Sequence, residues 1–382
     1  MTNANGNEKN SQTLDQAPPD AQIPTTIENP TVYVQPEAQP YIEIASELMR
    51  RAIAGEAPDA LNNFLSEALY RVGGTLDDTS IMHWHETFDY YESVLTERLR
   101  RRESGERQLR WPWASWNNYI DPPDPGMLVI VGAPDGLGKT VLVENIAEQI
   151  AQDGGHVLFF HLELAPELMF DRRTARHAFI DRRSLKMDIN KDVIRVVRDT
   201  NMRLRSWPGQ ITYVHSPGWT IDKIADVIRG IHRQDPVDMV IVDYLQKVRH
   251  TSDQMRMFGA NTTAREADTI ERFKIVAERE ALPIVLISQM RKDAKGATTA
   301  SGLSREQLLG TGSISNRSNV VVLMTRETDE DGVKTPIIHV KIDKNTMGRE
   351  GAFLMVINGP RFDIRDFSHE LLENILNSGV DI

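Results

Sequence analysis

The stretch MLVIVGAPDGLGKTVLVENIAEQIAQ, starting at Met127, constrains this chain more than any other. An apolar run enters a glycine-rich turn, and Lys-Thr then opens a helical apolar pattern. A run of this kind buries both faces of a strand, so it belongs inside a sheet covered by helices. Gly136 and Gly138 allow successive backbone N–H groups to close around an anion. The helix that follows points its positive end at the same place. The cradle so formed comprises Ala133, Pro134, Asp135, Gly136, Leu137, Gly138, Lys139, Thr140 and Val141. In it Lys139 reaches the β- and γ-phosphates of a nucleoside triphosphate, and the Thr140 hydroxyl binds Mg²⁺. The expected ligands are therefore ATP and Mg²⁺. One position departs from the usual GxxxxGK[ST] spacing: the first glycine is Ala133, with Gly132 just before it.

Short apolar runs recur down the chain: VLFF (157–160), ITYV (211–214), MVIVD (239–243), PIVLIS (283–288) and VVVLM (320–324). Helical stretches separate them, which implies right-handed crossovers and a largely parallel sheet. The expected class is α/β, a P-loop NTPase core with a mostly parallel central sheet, preceded by a small helical segment. Two later runs, IIHVKI (337–342) and FLMVI (353–357), suit an antiparallel hairpin at the sheet edge. Ligands of open parallel sheets bind at the carboxyl ends of the strands. Asp243 closes an apolar run and is expected there as a Mg²⁺ ligand, through water. Glu163 follows VLFF and could accept a proton from the water that attacks the γ-phosphate. Read alone it is equally a solvated strand-end glutamate. Gln289 follows PIVLIS and could sense the γ-phosphate by hydrogen bonding.

The 382 residues contain no cysteine, which excludes disulfides and thiolate metal sites and is compatible with a cytoplasmic home. The polar N-terminus lacks a secretion signal, and no apolar run approaches the roughly 18 residues that span a membrane. A net charge of −11 argues against coating nucleic acid by bulk attraction, yet permits a local basic channel. Residues 1–40 hold 6 of the 19 prolines and read as a disordered tail. Helical spacing marks a small segment over 41–78, and a longer helix over 79–110 ends in RLRRRESGE. Residues 111–367 then form the ATPase domain and 368–382 a C-terminal tail. The arginines of FDRRTARHAFIDRRSLK (170–186) read as a solvated or partner-binding helix face. The tryptophans of RWPWASWNNYI (110–120) could stack bases, cover the adenine or pack the preceding helix against the ATPase domain.

Taken together, these pieces resemble the motor domain of the DnaB family of replicative DNA helicases, a RecA-like ATPase. GAPDGLGKT is similar to that family's Ala-Arg-Pro-Ser-Met-Gly-Lys-Thr loop, which also begins with Ala. VLFFHLELAPELM resembles its strand ending Ser-Leu-Glu-Met, which implies that Glu163 is the catalytic base. SPGWTIDKIADVIRGI (216–231) resembles a segment carrying Thr-Pro-Gly-Leu-Thr. VIVDYLQ and ISQMRKD match its Walker-B and Ser-Gln-Leu strand ends, which carry over Asp243 and Gln289 as metal ligand and sensor. LLGTGSISNRSNVVVLM resembles its DNA-binding loop around Gly312, Ser313 and Ile314. YYESVLTERLRRRESGE resembles the linker helix by which neighbouring subunits dock. The likeness covers roughly residues 90–366.

Three positions depart from the family. Its arginine finger lies in a Lys-x-Arg segment; here Lys344 is kept but Thr346 replaces the arginine, and Arg349 is the candidate substitute. Leu309 takes the place of the basic residue of the DNA loop, with Arg305 and Arg317 nearby. The first 75 residues do not resemble the family's N-terminal domain. The resemblance implies an ATP-dependent helicase that moves along single-stranded DNA as a hexameric ring, with other replication proteins as further partners. Lys139, Thr140, Asp243, Glu163 and Gln289 would lie on one side of each site, and Lys344 and Arg349 would reach it from the neighbour. Loops near 291–317 would grip the strand. Thr346 and Leu309 motivate the alternative, a RecA-like recombinase or regulatory ATPase without unwinding.

Overall fold

A computed structural model describes residues 39–377 apart from 59, 62–63, 66–67, 69–83, 105–107, 164, 291–298 and 309–316. Residues 1–38, residues 291–298, Leu309 and the Gly312-Ser313-Ile314 segment lie outside the described residues. The chain divides into two units, Met1–Arg98 and Leu99–Ile382. In the first, helix α1 (Gln39–Ile53) is tied along one side by Glu47, which accepts hydrogen bonds from Arg50 and Arg51. Helix α2 (Glu86–Glu103) begins in this unit and leaves Phe88, Tyr91, Leu95 and Leu99 exposed.

In the second unit a nine-stranded sheet runs in the order β3-β2-β4-β5-β1-β6-β7-β8-β9. Its strands are β1 (Leu128–Ala133), β2 (His156–His161), β3 (Gln210–His215), β4 (Met239–Asp243), β5 (Ile284–Gln289), β6 (Val320–Thr328), β7 (Lys334–Asn345), β8 (Gly351–Asn358) and β9 (Asp363–Asp366). The first six in that order are mutually parallel; β7, β8 and β9 add antiparallel. Every apolar run read as a strand is one, and β7–β8 is the expected hairpin. The antiparallel part extends further, because β6 continues past its apolar run to Thr328 and folds back through Asp329–Val333 into β7.

Apart from the half-exposed edge strand β3, the parallel strands are buried on both faces because a hydrophobic cluster lies on each. One gathers helix α3 (Lys139–Gln152) with Val129, Val131 and Met324; the other gathers Ile130, Leu286 and Leu323 with the helices that follow β3 and β4. Helix α4 (Pro166–Ala178) follows β2, α5 (Lys191–Arg205) precedes β3, and α6 (Ile221–Gln234) and α7 (Thr262–Arg279) flank β4. In α7 Ile270, Phe273 and Ala277 recur at helical spacing and are fully buried.

Three expectations change here. Trp111, Trp113 and Trp116 are buried in the same cluster as α3, and Trp113 Nε1 donates to the Ile364 carbonyl at 2.8 Å. They are core residues of the second unit and do not offer a ring face to a base. The arginine-rich segment is not one solvated face: α4 stops at Ala178, where Phe179 takes a left-handed φ of 56°, and Arg176 points inward. Part of the tail expected over 368–382 is a helix, α8 (His369–Asn377), packed against β7 and β8.

Candidate nucleotide site at the carboxyl edge of the sheet

The turn between β1 and α3 is shaped by two left-handed glycines, Gly136 (φ 72°) and Gly138 (φ 90°). A side chain at either would strain the backbone. A Cβ on Gly138 would also press on Ile357 Cδ1 at 3.0 Å. Gly132 serves another need: a Cβ there would meet Leu308 Cδ2 at 2.3 Å, so the strand has room for Leu308 only because it carries glycine. The displacement of glycine to this position, with Ala133 after it, thus has a packing cause. Leu137 and Val141 are buried and fasten the turn and the start of α3 to the core.

Lys139 Nζ donates to the carbonyls of Ala133 (2.8 Å) and Pro134 (3.0 Å) and lies 3.7 Å from the exposed Asp135 carboxylate. The cation is folded over the turn that it would share with phosphate. Burial pushes its pKa down, opposed by Asp135 and Asp243. Asp243 is buried, which raises its pKa to about 6 against the pull of the Thr140 hydroxyl and Lys139. The Thr140 hydroxyl acts on the Asp243 carboxyl, so the two groups converge beside the cradle. A buried acid beside a hydroxyl at the mouth of an N–H-lined turn is the donor set that a hard divalent cation takes.

The sheet register gathers the remaining groups. Gln289 pairs with Ala133, and His161 with Asp243, so all four lie at the carboxyl edge. Gln289 donates its backbone N–H to Gln246 Oε1 at 3.1 Å. Glu163, two residues beyond β2, is exposed, and its charge acts on both Lys139 and Asp243. Its carboxylate lies 3.5 Å from Lys247 Nζ.

Lys344 and Arg349 are elsewhere. Lys344 pairs with Val321, which pairs with Ile130 of β1. That places Lys344 three residues, roughly 10 Å, down the strand from Ala133 toward the amino edge. Its ammonium donates to the Ser318 carbonyl at 2.6 Å. Arg349 stacks its guanidinium 4.6 Å from the Tyr119 ring centre and donates to the Asn118 carbonyl. Thr346 is hooked to the Asn319 carbonyl through its backbone N–H at 2.9 Å. Neither cation serves the cradle of its own chain. Of the two arginines near the Leu309 position, Arg305 is bound to Asp343 at 2.8 Å, and Arg317 is ion-paired with Glu271.

Sequence reasoning missed Lys334 and Ile357. Lys334 Nζ lies 3.4 Å from the Gly136 carbonyl, and Ile357 abuts Gly138. Both are brought to the cradle by the antiparallel strands, and no local spacing relates them to it.

The family profile described as the DnaB-like helicase C terminal domain matches residues 115–362. The replicative DNA helicase DnaB of Haemophilus influenzae is 24% identical over 246 residues, 63% of this chain and 51% of that protein. A probable plasmid replicative DNA helicase of Chlamydia trachomatis is 25% identical over 276 residues, 69% of this chain and 58% of its own length. The chain thus spans about half the length of the curated relatives it matches. A solved DnaB-like replicative helicase, described with its interactions with primase, superposes with a TM-score of 0.67 at 14% identity, covering 87% of this chain and 76% of that one. An isolated ATPase domain superposes with a TM-score of 0.62 at 16% identity, covering 72% and 98%.

Proposed function

Because the chain belongs to the family of DnaB-like helicase C-terminal domains, we propose that it is an ATP-dependent helicase that translocates along single-stranded DNA as a hexameric ring. The observation that carries this reading is the division of the site. Lys139, Thr140, Asp243, Glu163 and Gln289 share one edge of the sheet, while Lys344 lies at the level of Ile130, toward the amino edge, and Arg349 rests on Tyr119.

In this reading Lys139 leaves the Ala133 and Pro134 carbonyls for the β- and γ-phosphate oxygens, and the backbone N–H groups of the turn hold the rest of the tail. The Thr140 hydroxyl and, through water, Asp243 would hold Mg²⁺, which would supply neutralisation of phosphate charge. Glu163 takes a proton from the attacking water, and Gln289 hydrogen-bonds to the γ-phosphate. Arg349 replaces the arginine absent at Thr346. Loops around 291–317 would carry the strand, and the protein acts in the cytoplasm, alongside other replication proteins.

Lys139→Ala should abolish DNA-stimulated hydrolysis and strand displacement together; unchanged turnover would show that the cradle is misassigned. Glu163→Gln should lower kcat by about 10²–10⁴-fold, the range of general base catalysis. A second reading, a recombinase-type or regulatory ATPase that does not unwind, is favoured by one observation: Arg305 is engaged by Asp343 rather than available to DNA. ATP hydrolysis stimulated by single strands, without displacement of a partner strand, would select it.

A further inference from the structure

The carboxylate proposed as general base is not presented freely to the cradle. Glu163 Oε1 lies 3.5 Å from Lys247 Nζ. Tyr244 completes a triangle: its hydroxyl interacts with both the Glu163 carboxylate and the Lys247 ammonium, and that ammonium lies 5.6 Å from the centre of its ring. Lys247 ends a single 3₁₀ turn, Leu245–Lys247, that begins two residues after Asp243.

The turn is anchored from below. Leu245 is buried, and the Gln246 side chain accepts from the backbone N–H of Gln289 at 3.1 Å while donating to the Ser288 hydroxyl at 3.1 Å. One short turn therefore touches the end of β4, the end of β5 and the glutamate beyond β2. Its outer side is cationic, with exposed Lys247 and Arg249 alternating around buried Val248.

Two consequences follow from the chemistry. The ion pair ties a Glu163 carboxylate oxygen to Lys247, so that oxygen is not free to take a proton from a water at the cradle. The pair is also nearly half exposed on both sides, 44% and 49%, so water and salt screen it and another anion can compete for the lysine. Phosphates of a nucleic acid strand are anions of that kind, and they bind lysine and arginine in just such exposed pairs.

We propose that Lys247 is a positioning residue that holds Glu163 idle, and that the phosphates of single-stranded DNA release the glutamate by taking Lys247 as their counter-ion. Binding of the strand is thereby coupled to hydrolysis by exchange of one ion pair, with Tyr244 as the pivot. The proposal rests on the reading of Glu163 as the base.

The test is steady-state hydrolysis by the full chain with and without an oligothymidylate strand. Lys247→Met should raise the DNA-free kcat about two- to five-fold, the factor that a half-exposed ion pair carries. The KM for ATP should stay unchanged, and the DNA stimulation ratio should fall by the same factor. Lys247→Arg, which keeps a cation, should restore the low DNA-free rate. A DNA-free kcat in Lys247→Met at or below that of the parent overturns the proposal. Glu163→Gln is the control: if it removes both rates while Lys247→Met changes neither, the base assignment stands and only the coupling falls. A parent chain that does not hydrolyse ATP overturns both.

Discussion

Asp243 carries a charge that its surroundings oppose. Burial raises its pKa to about 6, well above the 3.8 of a free side chain, even with Thr140 and Lys139 beside it. The fold therefore favours the neutral acid. That contribution is complete below about pH 4 and is lost as the pH rises through about 6. Glu144, pushed up to about 7 by burial, adds a loss in the same direction. Without nucleotide, the thermal midpoint should fall between pH 5 and pH 7, and Asp243→Asn should flatten part of that slope. Mg²⁺ with a non-hydrolysable ATP analogue should flatten it as well, because a cation at the carboxylate reverses the preference. Scanning fluorimetry at several pH values measures this; an identical slope in Asp243→Asn would refute it. Gly132 gives a second prediction at this scale. Gly132→Ala drives a methyl into Leu308 and should lower stability by about 1–3 kcal/mol in urea unfolding. Leu308→Ala in the same chain should recover part of that loss, because the two residues share one contact.

At the scale of elements, α4 is bound to α3 by charge. Arg176 is buried and donates through Nε to Glu148 at 2.8 Å and through Nη2 at 2.9 Å, and it also reaches Glu144 and the Phe362 carbonyl. His177 contacts Glu148 at 2.7 Å. Burial works against the Glu148 charge, yet Arg176 and His177 prevail and pull its pKa down to about 2. Removing one member of such a pair strands the other, so Arg176→Met should destabilise by about 3–5 kcal/mol. Arg176→Met with Glu148→Gln should cost less than the sum of the two, as a urea double-mutant cycle can show. This network also marks where the sequence is hard to read. Strands β1, β2, β4, β5 and the start of β6 announce themselves, because a run buried on both faces is apolar at every position. The cradle does too, since its glycines and Lys-Thr are contiguous. Arginines at helical spacing look the same whether they meet water or acids on another helix 28 residues away. The partner of Arg305 is hidden in the same way: Asp343 lies 38 residues on, in β7. Lys334 and Ile357 stay hidden because only strand pairing brings them to Gly136 and Gly138.

For the whole molecule, the proposed function has one consequence: a single chain would not complete its own site. Lys344 lies at the level of Ile130, and Arg349 rests on Tyr119, while the cradle opens beyond Ala133 at the opposite edge. Arg349 is the easier of the two to deliver, since its stacking and its bond to Asn118 lie at the surface, whereas Lys344 is half-buried against Ser318. A head-to-tail contact between copies would bring one subunit's carboxyl edge to the next one's amino edge, and repetition of that contact closes a ring. Complementation between two defective chains tests this directly. Lys139→Ala spoils the cradle but leaves a sound donor; Arg349→Ala keeps the cradle but withholds the donor. Each variant alone should hydrolyse ATP poorly. Mixed in equal amounts and allowed to reassemble, they should regain activity, because about a quarter of the interfaces would join an intact cradle to an intact donor under random head-to-tail pairing. Arg349→Ala should also bind ATP as the parent does, since the residue takes no part in its own chain's cradle. A mixture no more active than its two components would mean that Arg349 does not act across an interface. The vacancy left by Thr346 would then have to be filled from within the chain, or not at all.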